Sequence, residues 1–136
     1  MMYTKVKQED STGCGIACIA MISNKTYSEI KALAVCSLSF NINGPFYTKA
    51  SDLNHLAEKL HITLGKKRVP YTHGRSSLPE RAILAINYKE NTDTWHWVVY
   101  FKHNGQIFIL DPNSKHEVRK DIDRVLNNTK WYIKIK

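Results

Sequence analysis

The dipeptide Asn104-Gly105 separates two apolar segments and constrains the fold more than any other feature of the chain. Asn-Gly is the strongest short-range signal for a two-residue β-hairpin turn, because such a turn needs positive φ angles. With this turn Val98 faces Asp111 across the two strands, and His96 lies two positions away on the same face. At that diagonal the two β-carbons are roughly 7 Å apart, which predicts an imidazole within reach of a carboxylate.

Helical and strand patterns occupy different halves of the chain. Apolar residues repeat at helical spacing near residues 14–23, 26–36 and 48–60, and Thr26 and Glu29 form a capping box at the start of the second segment. Residues 82–135 instead contain apolar runs of strand length. This segregation predicts an α+β fold in which N-terminal helices pack on a C-terminal antiparallel β-sheet.

Finer expectations follow for the strands and for a fourth helix. Residues 82–86 are continuously apolar, which predicts a central strand covered on both faces, and residues 62–69 have a weaker strand pattern. A short helix around Val118, Ile122 and Val125 is expected to precede a last strand, Trp131 to Ile135, with its lysines facing outward.

Composition limits the classes of protein to which the chain can belong. With 136 residues, of which 43% are hydrophobic, residues 1–136 are expected to form a single domain. No apolar run approaches the roughly 18 residues that span a bilayer, and no signal peptide is recognisable, so a cytoplasmic location is expected. The three cysteines do not have the spacing of a zinc motif, so reduced thiols are expected and neither a metal nor an organic cofactor is predicted.

The formal net charge of +8 raises the question of a nucleic acid partner. Lysines and arginines are dispersed, with small clusters at residues 66–68 and in the C-terminal segment, and they form no stripe interleaved with stacking aromatics. A solvated basic surface is therefore favoured, and nucleic acid is not expected as a partner.

Cys14 is the strongest candidate for a reactive group. The polar stretch from Gln8 to Gly13 runs directly into an apolar helical segment, which places Cys14 at the start of a helix. The helix dipole and the unpaired first-turn N–H groups favour a thiolate there. Gly13 and Gly15 are expected to leave room for a substrate carbonyl beside the sulfur. Cys18 and Cys36 fit buried core positions, which is the usual role of a free cysteine.

Cys14, His96 and Asp111 together form a candidate catalytic triad. An imidazole oriented by a carboxylate is the unit that activates a cysteine nucleophile. Taken singly, His96 fits a half-buried strand residue, and Asp111 fits a turn residue before Pro112. Taken together, the hairpin register and the glycine-flanked cysteine favour catalysis.

These motifs resemble those of the papain-like cysteine peptidases, specifically the bacteriocin-processing family that cuts leader peptides after a double glycine. The chain has Gln8 six residues before the nucleophile, Asp10 two residues after that glutamine, and the run Cys14-Gly-Ile-Ala-Cys18. Later in the chain, His96 is followed by an apolar strand, and the dipeptide Asp111-Pro112 ends the next strand.

The resemblance implies a papain-like fold, Cys14 as nucleophile, His96 as general base and acid, Asp111 as its orienting group, and Gln8 as a side-chain donor to the oxyanion. It also implies a peptide or protein substrate. Well-known relatives are the peptidase ends of export transporters, so a separate transporter, or an inhibitor, is a candidate partner.

Two other functions remain open at this point. One is a papain-like toxin or effector module that hydrolyses or deamidates a side-chain amide of a target protein. The other is a non-catalytic module that binds a peptide or nucleic acid. The presence of Cys14, His96, Asp111 and Gln8 together favours an enzyme over a binding module.

Overall fold

A computed structural model describes residues 3–136 of the chain. The three predicted N-terminal helices are present as α1 (Cys14–Ser23), α2 (Tyr27–Leu38) and α3 (Ala50–Lys59). The capping box at the start of α2 forms as expected: the Thr26 hydroxyl accepts from the Glu29 N–H, and the Glu29 carboxylate accepts from the Thr26 N–H. None of the helices in residues 3–136 is long and apolar enough to cross a membrane.

Five strands form one antiparallel sheet in the order β1-β5-β2-β3-β4. The strands are β1 (Val69–Pro70), β2 (Arg81–Lys89), β3 (Thr94–His103), β4 (Gln106–Leu110) and β5 (Thr129–Lys134). The turn between β3 and β4 is the predicted two-residue turn, because His103 pairs with Gln106 and Val99 with Leu110. This register places Asp111, directly after β4, opposite Val98 as predicted.

Both faces of the central strands are covered. On one face α1, α2 and α3 pack against the alternating side chains of β2, β3 and β5, and α1 is buried along almost its whole length. On the other face a smaller apolar cluster includes Val125 and Leu126 of α4 (Ile122–Asn127). The apolar run at residues 82–86 is fully buried, which confirms the expected central strand.

Two details differ from the sequence-based expectations. The fourth helix begins at Ile122 and does not include Val118, because the Arg119 N–H donates to the Ile109 carbonyl at 2.8 Å and keeps this segment against β4. The weak strand pattern at residues 62–69 yields one isolated bridge, between Leu64 and Ile135, and the two-residue edge strand β1.

Cys36 is exposed, so the prediction that it is buried is wrong. The buried residues of α2 include Ile30 and Ala34. Cys36 follows Ala34 by two positions, which at about 100° per residue places it on the opposite side of the helix.

Candidate active site

The N-terminus of α1 carries Cys14 and packs against β3. Gly13 is the N-cap residue, and its carbonyl accepts from the Ala17 N–H at 3.0 Å, so Cys14 is the first residue inside the helix. Its N–H therefore has no acceptor within the helix and faces the end where partial positive charge collects. The backbone N–H of Trp97 in β3 also lies 3.5 Å from the Cys14 sulfur. The structure thus has Cys14 at the start of a helix, as the sequence predicted.

Hydrogen bonds fix the loop that precedes Cys14. The Gln8 N–H donates to the Pro112 carbonyl at 3.0 Å, which ties the loop to the turn that begins at Asp111. The Asp10 carboxylate accepts from the Tyr27 hydroxyl at 2.7 Å and pairs with Lys31 at 3.2 Å. The loop is thus held both to the sheet and to α2.

Gly13 and Gly15 have a different structural role from the one that the sequence suggested. A β-carbon on Gly13 would lie 1.9 Å from the Tyr27 hydroxyl, and one on Gly15 would lie 1.9 Å from the Thr48 hydroxyl. The two glycines therefore make room for packed side chains of the protein rather than for a substrate.

His96 and Asp111 meet as the hairpin register predicts. The Nε2 atom of His96 lies 2.6 Å from Oδ1 of Asp111, and Cys14 lies close enough to His96 to raise the pKa of the imidazole. The side chain of Asp111 is 7% exposed and that of His96 is 22% exposed, so water screens the pair weakly. The structure therefore brings Cys14, His96 and Asp111 into one connected group.

The electrostatics favour a charged imidazolium. Burial disfavours that form, but hydrogen bonds to Asp111 and Cys14 outweigh burial and raise the pKa of His96 to about 9. Burial likewise opposes ionisation of Asp111, yet its contacts with His96, the Asn113 N–H and Arg119 lower its pKa to about 2. At neutral pH the group therefore holds a carboxylate beside an imidazolium, and the imidazolium faces the Cys14 sulfur.

The Gln8 side chain is buried, with both of its amide N–H groups engaged. Its Nε2 atom donates to the Asp10 carbonyl at 2.9 Å and to the Ser11 carbonyl at 3.0 Å. Its Oε1 atom has no hydrogen-bond partner among residues 3–136. Gln8 thus stabilises the loop before Cys14, and its role as an oxyanion donor stays a prediction.

Comparison with known proteins identifies the family. The Peptidase C39 family model matches residues 2–131. The chain belongs to the Peptidase C39 family. It is therefore a cysteine peptidase, as the sequence motifs predicted.

The fold agrees with that assignment. The chain is similar to the peptidase domain of Streptococcus ComA, a bifunctional ABC transporter involved in a quorum-sensing pathway. The two share 21% identity over 97% of this chain and 96% of that one, with a TM-score of 0.68. The papain-like fold predicted from the sequence is thereby confirmed. Among curated protein sequences, none matches the chain.

A cleft of about 500 Å³ opens beside Cys14 of this C39 peptidase. Its lining includes Cys14 together with the side chains of Phe40, Tyr47, Trp95 and Trp97. Tyr47 is 58% exposed, although it is a large aromatic residue. An extended peptide could contact these apolar walls while its carbonyl carbon approaches the Cys14 sulfur.

Sequence reasoning missed two contributors to the site. One is the Trp97 N–H, because a backbone contact to a residue 83 positions away leaves no local signal. The other is Arg119, whose Nη1 atom lies 2.9 Å from Oδ2 of Asp111. The pair Arg119 and Asp121 is visible in the sequence, but nothing local to it indicates that the arginine reaches Asp111.

Proposed function

We propose that this C39 peptidase cleaves its substrate through an acyl-enzyme on Cys14, with His96 as general base and acid and Asp111 as orienting group. The observation that supports it most is the contact of 2.6 Å between His96 and Asp111, made by a histidine whose pKa is also raised by a cysteine at a helix start. That arrangement matches the cysteine-peptidase form of the catalytic triad.

The steps follow from the protonation state. His96 takes the proton of the Cys14 thiol, the sulfur attacks the carbonyl carbon, and the oxyanion that forms accepts a hydrogen bond from the Cys14 N–H. The imidazolium of His96 then gives its proton to the departing amine, which breaks the peptide bond and leaves a thioester on Cys14. Water attacks the thioester while His96 takes a proton from it, and the carboxylic acid product leaves as the thiol–imidazole pair is restored.

Gln8 is proposed as the second donor to the oxyanion. One of its N–H groups would turn from a backbone carbonyl to the oxyanion, which is favoured because hydrogen bonds to charged acceptors are stronger. Loss of such a donor typically costs on the order of 100-fold or more in rate. Gln8→Ala should therefore slow peptide turnover while leaving the alkylation of Cys14 by iodoacetamide unchanged, because alkylation forms no oxyanion. Equal losses in both reactions would reduce Gln8 to a loop-stabilising role.

The substrate is proposed to be a peptide cleaved after small residues such as Gly-Gly, in keeping with the family resemblance. Because the similar ComA peptidase domain belongs to an ABC transporter, a separate transporter is the candidate partner. The test uses three otherwise identical peptides with Gly-Gly, Ala-Ala or Leu-Leu before the scissile bond, and mass spectrometry of the products.

The expected result is cleavage of the Gly-Gly peptide by the wild type and by Cys36→Ser, and none by Cys14→Ser. Cys36→Ser is the matched control, because it removes an exposed thiol outside the site. Conversion of a glutamine side chain to glutamate without chain cleavage would favour the deamidase alternative. Cleavage by Cys14→Ser at the wild-type rate would contradict the mechanism.

A further inference from the structure

The two carboxylate oxygens of Asp111 have different partners. Oδ1 accepts from the Asn113 N–H at 2.9 Å and faces His96 Nε2 at 2.6 Å. Oδ2 accepts from Arg119 Nη1 at 2.9 Å. Rotation of a carboxylate about its terminal bond is only loosely restricted by its own chain. The orientation of Asp111 towards His96 therefore depends on what holds its second oxygen.

Hydrogen bonds fix both the backbone and the side chain of Arg119. Its backbone N–H donates to the Ile109 carbonyl at 2.8 Å, which fixes the residue beside the end of β4. Its Nε and Nη2 atoms donate to the two carboxylate oxygens of Asp121 at 2.9 and 2.6 Å. This is the bidentate geometry that a planar guanidinium makes and an ammonium cannot.

Asp121 also offsets the charge of Arg119. The guanidinium bridges two carboxylates, so its positive charge is shared between Asp111 and Asp121. A bare cation next to Asp111 would disfavour the nearby imidazolium and lower the pKa of His96. The geometry therefore indicates a mechanical contribution from Arg119 rather than an electrostatic one.

We propose that Arg119 is a positioning residue that acts through Asp111: it holds Oδ2 so that Oδ1 stays directed at His96, and Asp121 anchors the guanidinium. This proposal depends on the role of Asp111 in the proposed function. It predicts that loss of Arg119 weakens the bond between Asp111 and His96 and so destabilises the imidazolium.

The test is an NMR titration of the His96 imidazole, assigned by comparison with His96→Gln, in the full chain. Arg119→Met should lower the titration midpoint of His96 by about one pH unit, the low end of what an opposite charge in contact contributes. Arg119→Lys should lower the midpoint similarly, because lysine keeps the charge but cannot make the bidentate contact with Asp121. Arg75→Met is the matched control: Arg75 forms an ion pair with Asp123 on the surface, and its loss should leave the midpoint unchanged.

A double-variant comparison separates positioning from general destabilisation. If Arg119 acts through Asp111, Arg119→Met should have no further effect on the midpoint in an Asp111→Asn background. If Arg119→Met does not fold, Arg119→Lys replaces it in the same comparison, because lysine keeps the charge but cannot make the bidentate contact.

Three results would overturn the proposal for Arg119. Arg119→Met could leave the His96 midpoint unchanged, or it could raise the midpoint, as expected if Arg119 acted only as a nearby cation. Arg119→Met could also shift the midpoint equally with and without Asp111→Asn. If Asp111→Asn alone does not lower the His96 midpoint, the role of Asp111 in the proposed function is wrong.

Discussion

Replacing Asp111 by asparagine should lower the pKa of His96 and impair the peptidase most strongly at alkaline pH. Asp111 is the main group that counteracts burial and holds the pKa of His96 at about 9 instead of its ordinary 6.5. Asparagine keeps the size of the side chain but carries no charge. The pKa of His96 should therefore fall towards 6.5, because burial continues to disfavour the imidazolium and only Cys14 still favours it.

The size of the effect follows from the protonated fraction. At pH 8 the imidazolium fraction of His96 should fall from roughly 90% to roughly 3%, a loss of about 30-fold. At pH 6 the same change costs less than about twofold. Any further loss caused by a misoriented ring multiplies the loss by the same factor at both pH values, so the loss at pH 8 should exceed that at pH 6 by about 20-fold.

The assay is kcat/KM for a cleaved peptide between pH 5 and 10, measured for the wild type and Asp111→Asn, with the melting temperature of each as a control for folding. An imidazole titration by NMR gives the same pKa without a substrate. A titration midpoint that stays near 9 in Asp111→Asn, or a loss of activity that does not change with pH, would refute the reasoning.

Three other predictions concern packing, thiol access and pH-dependent stability. Gly15→Ala should lower the free energy of unfolding in urea by about 1–3 kcal/mol, because its β-carbon would clash with Thr48; unchanged stability would contradict this. Iodoacetamide should label Cys36 in the folded protein, whereas Cys18, which is fully buried, should be labelled only after unfolding. Peptide mapping can check this, and prompt labelling of Cys18 would refute its burial. Because folding raises the pKa of His96, the imidazolium stabilises the fold fully below pH 6.5 and this contribution disappears as pH rises through about 9. His96→Gln should remove this pH-dependent part of the free energy of unfolding, which is at most about 3 kcal/mol. An identical pH dependence of stability in the wild type and in His96→Gln would contradict this.

The contacts that follow from local sequence could be predicted. Asn104-Gly105 determines the turn, the turn determines the register, and the register places His96 near Asp111. Cys14 at a helix start follows likewise from the change in composition after Gly13. These predictions succeed because each depends on a few consecutive residues and on the period of a strand or helix.

Contacts between distant segments could not be predicted. The sequence suggested that Gly13 and Gly15 leave space for a substrate, but the side chains of Tyr27 and Thr48 occupy that space. Arg119 reaches Asp111 because a loop folds back on β4, and no periodicity describes a loop. Sequence analysis thus recovered the central pair of the site but not the side chains that support it.

The central claim is that Cys14 forms a covalent acyl intermediate that depends on His96. The most direct measurement is intact-protein mass spectrometry after rapid mixing with a cleavable Gly-Gly peptide and acid quenching, followed by peptide mapping of the adduct. We expect a thioester with the N-terminal part of the peptide on Cys14, and none in Cys14→Ala or His96→Ala. Cleavage that continues in Cys14→Ala, or an adduct on another residue, would contradict the account.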